Sequence, residues 1–485
     1  MSAFQAIEHY QPPTSHFQLL PFRFTPLDGE KYVVTNLVGE YLVLERPILL
    51  KLLAQDLPCT DPNYIELRAR HFLTDSSTSI APTLLSLKLR TRYQRLAEFT
   101  GLHLFVVTLR CEHSCPYCQV SRRSEDTQQY DMTSQSASAA LELALRSPSR
   151  HSKLEFQGGE PLLNFPLIQS LVLEAEAKNR QLEKELAFVI ATNLALVNEE
   201  ILSFCHDHSV LISTSLDGPR DLHNANRPRP GGDSYERTVR GISLARTVLG
   251  HDRVSALMTT TEASLSRVRE IIDEYVRLRF SGIVLRPLSP YGFAMRTRSY
   301  QAYNTERWLG FYQEGLEYII ELNRQGHDFV EYSAATILKK ILTSEDPGYV
   351  DLMSPAGIGI GAVVYNYDGS VYASDESRML AEMGKDQFKL GHVLTHTYEE
   401  LFTSPKLLDP LEGSFPYSSP MCHDCAFESY CGADPVYHYA MHGDFVGRKP
   451  ESDFCRRNME TFRYLLLKME NDPFVKQLFI RWANR

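Results

Sequence analysis

Between residues 102 and 290, short apolar runs alternate with longer amphipathic stretches. The runs Leu102–Leu109, Lys153–Gln157, Leu186–Ala191, Val210–Ser215, Val254–Thr259 and Gly282–Pro287 have the length and branched or aromatic content of buried strands. Between them, Ser134–Arg146, Phe165–Arg180, Asn198–His206, Tyr235–Leu249 and Leu265–Leu278 repeat apolar residues at helical spacing. Such alternation predicts parallel strands joined by right-handed crossovers. Six units fit a partial barrel or a doubly wound sheet, and the pattern alone does not choose between them. In either fold, functional groups gather beyond the C-terminal ends of the strands.

The flanks read differently. Lys31–Thr35 and Tyr41–Leu44 are apolar runs around a turn containing Gly39, which predicts a β-hairpin; Pro47–Ala54 and Tyr64–Phe72 follow as helices, and Ile80 to Leu89 connects onward. Beyond residue 290, Thr305–Arg324 and Ala334–Leu342 read as helices. Gly357, Gly359 and Gly361 run into an apolar stretch and an Asp368–Gly369 turn, a hairpin and not a dinucleotide loop. The remainder is loop-rich and closes on a helix over Arg457–Glu470. A chain of 485 residues exceeds one ordinary domain. The expected division is 1–95, 96–330 and 331–485.

Composition narrows the class. Apolar residues at 43% and charged residues at 23% support a large core, and the diffuse net charge of −10 lacks the basic face that nucleic acid requires. The opening residues show no basic segment followed by an apolar one, and no 18-residue uncharged apolar run exists. A cytoplasmic protein without membrane spans is expected. Seven of the nine cysteines fall into two groups, 111/115/118 and 422/425/431/455, with Cys59 and Cys205 apart. Grouped thiols in a reducing compartment read as ligands of iron–sulfur clusters, zinc or copper.

Cys111, Cys115 and Cys118 stand in VTLRCEHSCPYC, directly after the first predicted strand. The Cys-x3-Cys-x2-Cys spacing, with Tyr117 before the last cysteine, resembles the signature of radical S-adenosylmethionine (SAM) enzymes. The resemblance implies a partial (β/α)6 barrel, a [4Fe–4S] cluster on these three thiolates, and SAM on the fourth iron. It further implies that Gly158, Gly159 and Glu160 in QGGEP bind the methionine amino group. Thr192, Asn193, Ser213, Ser215 and Asp217 then stand at positions for the SAM carboxylate and ribose. Asp217 reads equally as part of a strand-terminating turn. Arg286 faces SAM, the substrate backbone or a salt bridge. The segment HNANRPRPGGDSYE resembles a substrate-side loop, with His223, Arg227 and Ser234 as its polar residues.

Cys422, Cys425, Cys431 and Cys455 are an adequate set for zinc or a second [4Fe–4S] cluster. Their spacing resembles the outer cluster of the SPASM domain, which implies a loop-rich C-terminal iron–sulfur domain. Ligands for a further cluster are missing together, with Ala356, Ser374 and Pro435 in their places, so two clusters are expected. Asp375 matches an acidic residue that takes a substrate proton in sulfatase-maturating relatives; a surface aspartate is the plain alternative.

The first 95 residues resemble winged-helix elements that bind leader peptides, a packing domain being the alternative. The opening FRFTPLDGEKYVVTNLVGEYLVL, the loop CEHSCPYCQVSR and the end CHDCAFESYCGADPVYHY resemble the radical SAM maturase of His-Xaa-Ser repeat systems. That resemblance implies a ribosomally made precursor peptide as substrate, a second radical SAM protein encoded beside it, and an electron donor such as flavodoxin or ferredoxin. Oxidative modification by C–H abstraction is the implied activity. A sulfatase-maturase-like or small-molecule radical SAM enzyme and a non-catalytic metal scaffold are the other classes.

Overall fold

The computed structural model describes residues 16–76, 80–123, 126–301 and 303–485. The stretch read as lacking an export signal lies mostly outside them. Eight strands form the main sheet, in the order Val254–Leu257, Leu211–Ser215, Glu185–Thr192, His151–Gly158, Leu102–Thr108, Ala362–Tyr365, Ser370–Tyr372 and Lys389–His392. The first five are parallel neighbours. Ala362–Tyr365 adds a parallel strand beside Leu102–Thr108, and the last two run antiparallel. The α/β partial barrel is therefore present, with helices Ser134–Leu145, Phe165–Leu182, Glu199–Asp207, Ser234–Leu249 and Val268–Arg277 as crossovers.

The first barrel strand explains its uninterrupted apolar run. Phe105 and Val107 join the main core with Phe156, Ile190 and Ile212, while Leu104 and Val106 pack with Ala362 and Val364 on the opposite side. A strand buried on both faces needs apolar residues at every position.

The sixth predicted strand is a correction. Only Gly282–Ile283 is extended in a ladder, and it pairs with Val330–Glu331, apart from the main sheet. Pro287 removes a ladder donor just beyond it, and Gly282 approaches Val330 so closely that a Cβ would meet its carbonyl oxygen at 2.4 Å.

The N-terminal module has a core of its own, built from Phe17, Val34, Leu44, Leu49, Leu52, Tyr64, Leu67 and Phe72. Its sheet has three antiparallel strands, Phe22–Pro26, Lys31–Asn36 and Tyr41–Glu45, one more than the hairpin expected. The segment expected only to connect onward is the helix Ala81–Gln94, which Pro82 begins. The module does not stand apart. Tyr430 donates its hydroxyl proton to the Gly39 carbonyl at 2.6 Å, the Ala426 amide donates to Thr25 Oγ1 at 3.2 Å, and Arg23 pairs with Glu428 at 3.4 Å. The described part of the module thus closes over the second cysteine group.

At the C-terminal end, Asp453–Asn471 is joined by a further helix, Pro473–Ala483, which buries Val475, Leu478, Phe479 and Trp482. No helix among the described residues is long and apolar enough to cross a membrane.

Candidate active site

One cavity of about 240 Å³ lies at the C-terminal ends of the barrel strands. Cys111, Cys115 and Cys118 line it with Tyr117, Gly158, Gly159, Thr192, Asn193, Ser213, Ser215, Arg286 and Asp375. Segments from the cysteine loop to the helix Asp375–Ala381, distant in sequence, are gathered there. Glu160 and Asp217, expected to contact the cofactor, do not line it.

The strand ends are fastened to the root of the cysteine loop. The Gly159 amide donates to the Thr108 carbonyl at 2.9 Å, and the Glu160 amide donates to the Arg110 carbonyl at 2.7 Å. A Cβ on Gly158 would sit 1.9 Å from the Thr108 oxygen, and one on Gly159 would sit 2.2 Å from that of Arg110. Glycine is required here because backbone meets backbone. Arg110 holds the same root by a bidentate pair with Asp131, both contacts at 2.7 Å. On the far side, the Phe293 amide donates to the Cys118 carbonyl at 2.7 Å, and Gly292 packs against the same turn.

Glu160 turns inward. Its carboxylate accepts from Thr192 Oγ1 at 2.6 Å, the Asn193 amide at 2.8 Å and the Leu162 amide at 3.0 Å. Burial, then repulsion from Glu112, pushes its pKa up to about 8. The Asn193 side chain bonds Glu112 at 2.9 Å and His113 Nδ1 at 3.0 Å. The polar atoms of Glu160, Thr192 and Asn193 therefore brace the cysteine loop, where contacts to SAM were expected.

Asp217 is fully buried and serves a similar purpose. It accepts from the Tyr117 hydroxyl at 2.6 Å, from Arg227 at 2.9 and 3.2 Å and from the Thr259 amide at 3.2 Å. Burial is the largest influence and raises its pKa, but Arg227, His223 and the Tyr117 hydrogen bond together outweigh it and hold the carboxyl below its usual value. The segment read as a substrate-side loop folds under the cysteines. Ser234 joins His113 Nε2 at 2.8 Å to His223 Nε2 at 3.1 Å, and the Ser114 amide donates to the Pro228 carbonyl at 2.7 Å. Cys111, Glu112 and His113 bring ligand atoms within 4.8 Å of one another. Both ring nitrogens of His113 are already engaged, however, which leaves none for a metal ion.

What remains open to a ligand is a smaller set. The Gln157 Nε2 is buried in the cavity wall without a hydrogen-bond partner, and so is Thr214 Oγ1. Ser213 and Ser215 line the same wall. Arg286 has no carboxylate within 4.0 Å among the described residues. Donors of this kind suit a carboxylate and a ribose. Gln157 and Glu155 were not singled out as cavity residues from sequence, whereas Arg227 of the expected substrate-side loop does line the cavity. Alternation along His151–Gly158 places Glu155 and Gln157 on one face, a signal that period-two reading supplies.

Burial keeps the Cys111 thiol above its ordinary pKa and pushes Cys115 up to about 12. Without metal these groups stay protonated, and a bound cluster would take them as thiolates. A second cavity of about 280 Å³ is lined by Cys422, Cys425, Cys431 and Cys455 together with Phe427, Phe462 and Thr25 of the N-terminal module. Burial raises Cys422 and Cys425 to about 12 and Cys455 to about 11. The positions expected to have lost cluster ligands are structural: Ser374 caps the helix Asp375–Ala381, Pro435 begins Pro435–His442, and Ala356 is buried.

Comparison with known proteins agrees with this geometry. Residues 105–275 match the model of the Radical SAM superfamily. The cysteine-type anaerobic sulfatase-maturating enzyme of Clostridium perfringens is 23% identical over 332 residues, 66% of this chain and 84% of that protein. Among solved structures, native anSMEcpe with bound AdoMet superposes with a TM-score of 0.62 at 19% identity, covering 79% of this chain and 99% of that one. Streptococcus suis SuiB bound to precursor peptide SuiA gives 0.53 at 12% identity, covering 91% and 100%. The cysteine loop and the C-terminal ends of the barrel strands fall within the residues that match the Radical SAM superfamily model.

Proposed function

We propose that this enzyme modifies a ribosomally made precursor peptide by hydrogen abstraction from a C–H bond. The observation that carries the reading is the single cavity in which three cysteines meet Gln157, Ser213, Ser215 and Arg286 at the barrel mouth. A [4Fe–4S] cluster on Cys111, Cys115 and Cys118 with SAM supplies reductive cleavage to a 5′-deoxyadenosyl radical. The chain's own residues position and enclose. Arg286, Ser213, Ser215 and Gln157 hold the carboxylate and ribose of SAM, while Glu160, Asn193 and Asp217 fix the loop that presents the thiolates. Asp375 lines the cavity and is paired with Arg378 at 3.1 Å, and in this reading it accepts a substrate proton.

Cys422, Cys425, Cys431 and Cys455 hold a second cluster in this reading, for a total of two. The N-terminal module recruits the peptide. Its edge strand Tyr41–Glu45, helix Ala81–Gln94 and residues 340–346 enclose a groove of about 1060 Å³, and Leu84 and Leu87 stand exposed in it. An extended peptide added to that edge would gain main-chain bonds and side-chain pockets. SuiB, similar in fold, has been solved with its precursor peptide. We assign a peptide with His-Xaa-Ser repeats, a partner radical SAM protein and a flavodoxin or ferredoxin donor on the sequence resemblance.

A second reading, oxidation of a residue in a sulfatase, is favoured by similarity to the maturating enzyme of Clostridium perfringens. Co-expression with each candidate substrate, followed by mass spectrometry, separates the two. Loss of hydrogen from a repeat precursor supports the first. Modification of a sulfatase peptide alone supports the second.

A further inference from the structure

Three loops meet beside the catalytic cavity. Asp351 lies in the turn Val350–Leu352, Asp375 and Glu376 open the helix Asp375–Ala381, and Asp434 caps the helix Pro435–His442. The loops are in backbone contact: a Cβ on Gly432 would meet the Asp351 carbonyl oxygen at 2.5 Å and that of Met353 at 2.8 Å. The helix Asp375–Ala381 packs on the helix Pro435–His442. Asp375 is paired with Arg378 at 3.1 Å. Among the described residues, Asp351, Glu376 and Asp434 have no Lys, Arg or His nitrogen within 4.0 Å.

Burial raises all three, and repulsion from Asp351 acts on Glu376 and Asp434. Burial is the larger cause for Glu376, pushed up to about 8, and for Asp434, pushed up to about 7; Asp351 adds to both. Two guanidinium groups face the cluster at longer range, Arg286 and Arg457. Arg457 is held over the rings of Trp308 and Phe454, each at 5.8 Å. Three carboxylates against two distant cations leave the space acidic.

A separate observation points to an occupant. Tyr291 is 1% exposed, and its hydroxyl has no hydrogen-bond partner. Burial, and then the charges of Asp434, Glu376 and Asp351, hold that phenol well above its ordinary pKa, so the three carboxylates lie within electrostatic range of it. A buried phenol among carboxylates should be bonded, and an unmade bond there costs free energy until something makes it.

We propose that Asp351, Glu376, Asp434 and the Tyr291 hydroxyl form a subsite for a cationic side chain of the substrate, an imidazolium, ammonium or guanidinium. The subsite adjoins the barrel mouth through Arg286 and Asp375, so a residue held there places its neighbours at the reacting end. This rests on the reading of the substrate as a peptide. It also gives the loops a use, since Ser374 and Pro435, the expected places of absent cluster ligands, adjoin Asp375 and Asp434.

The test is fluorescence anisotropy on the full chain at physiological salt. The probes are a labelled peptide of three Lys-Gly-Ser repeats and the same peptide with every lysine Nε-acetylated. The charged peptide should bind about tenfold tighter, the scale of one buried charge-assisted contact. Asp351→Asn with Glu376→Gln should remove that preference and leave affinity for the acetylated peptide unchanged. The single substitutions should each reduce the preference, and they decide the matter where the double variant fails to fold. Equal binding of the two peptides by the unaltered protein overturns the proposal. So does a preference that survives both substitutions, because it would then come from the overall net charge of −10. Formation of 5′-deoxyadenosine is read separately. A protein that cleaves SAM without charge preference loses only the subsite. One that shows the preference without cleaving SAM loses only the proposed function.

Discussion

The Tyr117 hydroxyl donates to Asp217 at 2.6 Å, one hundred residues along the chain, and Arg227 lies over the same tyrosine ring at 5.5 Å while pairing with the same aspartate. This triad sits beneath Cys115 and Cys118 and ties the cysteine loop to the end of the fourth barrel strand. Asp217→Asn leaves Arg227 without its anion in a buried setting. Breaking such a pair costs about 3–5 kcal/mol, whereas Tyr117→Phe removes one hydrogen bond and costs about 1–2 kcal/mol. Denaturant unfolding should rank them in that order, with lower iron retention in the first.

Gly159→Ala tests the fastening of the strand end to the loop root. The added Cβ would lie 2.2 Å from the Arg110 oxygen, so the segment following Gly159 must move away from Cys111. Formation of 5′-deoxyadenosine should fall by at least tenfold, the scale of a small misplacement of reacting groups. Cys422, Cys425, Cys431 and Cys455 lie in another cavity, so about half of the iron should remain. Full loss of iron would show instead that the whole chain depends on this contact.

Metal content distinguishes the proposed cluster number. Anaerobically reconstituted protein should hold about eight iron and eight sulfide, from two four-iron sites. Cys115→Ala should abolish SAM cleavage, because it removes one of three thiolates. Four iron with stoichiometric zinc would assign zinc to the second cavity.

Acid stability follows from a histidine far from either cysteine group. His103, within the strand Leu102–Thr108, is 0% exposed and stacked on Tyr365, and burial lowers its pKa to about 3. The unfolded chain binds that proton near pH 6.5 and the folded chain only near pH 3, so its contribution to stability is full above pH 6.5. It is lost as pH falls from there toward 3, at about 1.4 kcal/mol per pH unit. His103→Gln should flatten the fall in unfolding free energy between pH 6.5 and 4. An unchanged slope would mean that other groups dominate.

The barrel and the cysteine loop were legible because strand period, helix period and thiolate spacing are local signals. The strand Leu102–Thr108 and the helix Thr305–Arg324 lie close to where the pattern puts them. What sequence could not show was which polar atoms are already engaged. Glu160 and Asp217 read as ligand contacts because their motifs sit at strand ends, yet both turn inward to partners at residues 192–193 and 227. The sixth strand shortened because its register depends on Val330, a distant partner. The helix Ala81–Gln94 was passed over because its apolar face is weak, with only Ala81 and Leu85 buried.

The groove on the N-terminal module yields the last prediction. Removing residues 1–95 is a poor probe, because Thr25 lines the second cysteine cavity and Tyr430 bonds Gly39; such a truncation would expose the second cysteine group. Leu84 and Leu87 are 37% and 50% exposed on the helix Ala81–Gln94, facing the groove beside the edge strand. Replacing both by glutamate leaves the small core almost untouched, since neither belongs to it. If a precursor peptide docks as an added strand, its apolar side chains lose their contact there. Burying two leucine-sized contacts is worth about 1.5–3 kcal/mol each at full burial, so half-buried ones predict at least a tenfold weaker precursor. Uncoupled SAM cleavage should persist, because every cysteine of the catalytic cavity lies beyond residue 110. Unchanged precursor affinity, measured by anisotropy on a folded variant, would move recognition to the barrel mouth.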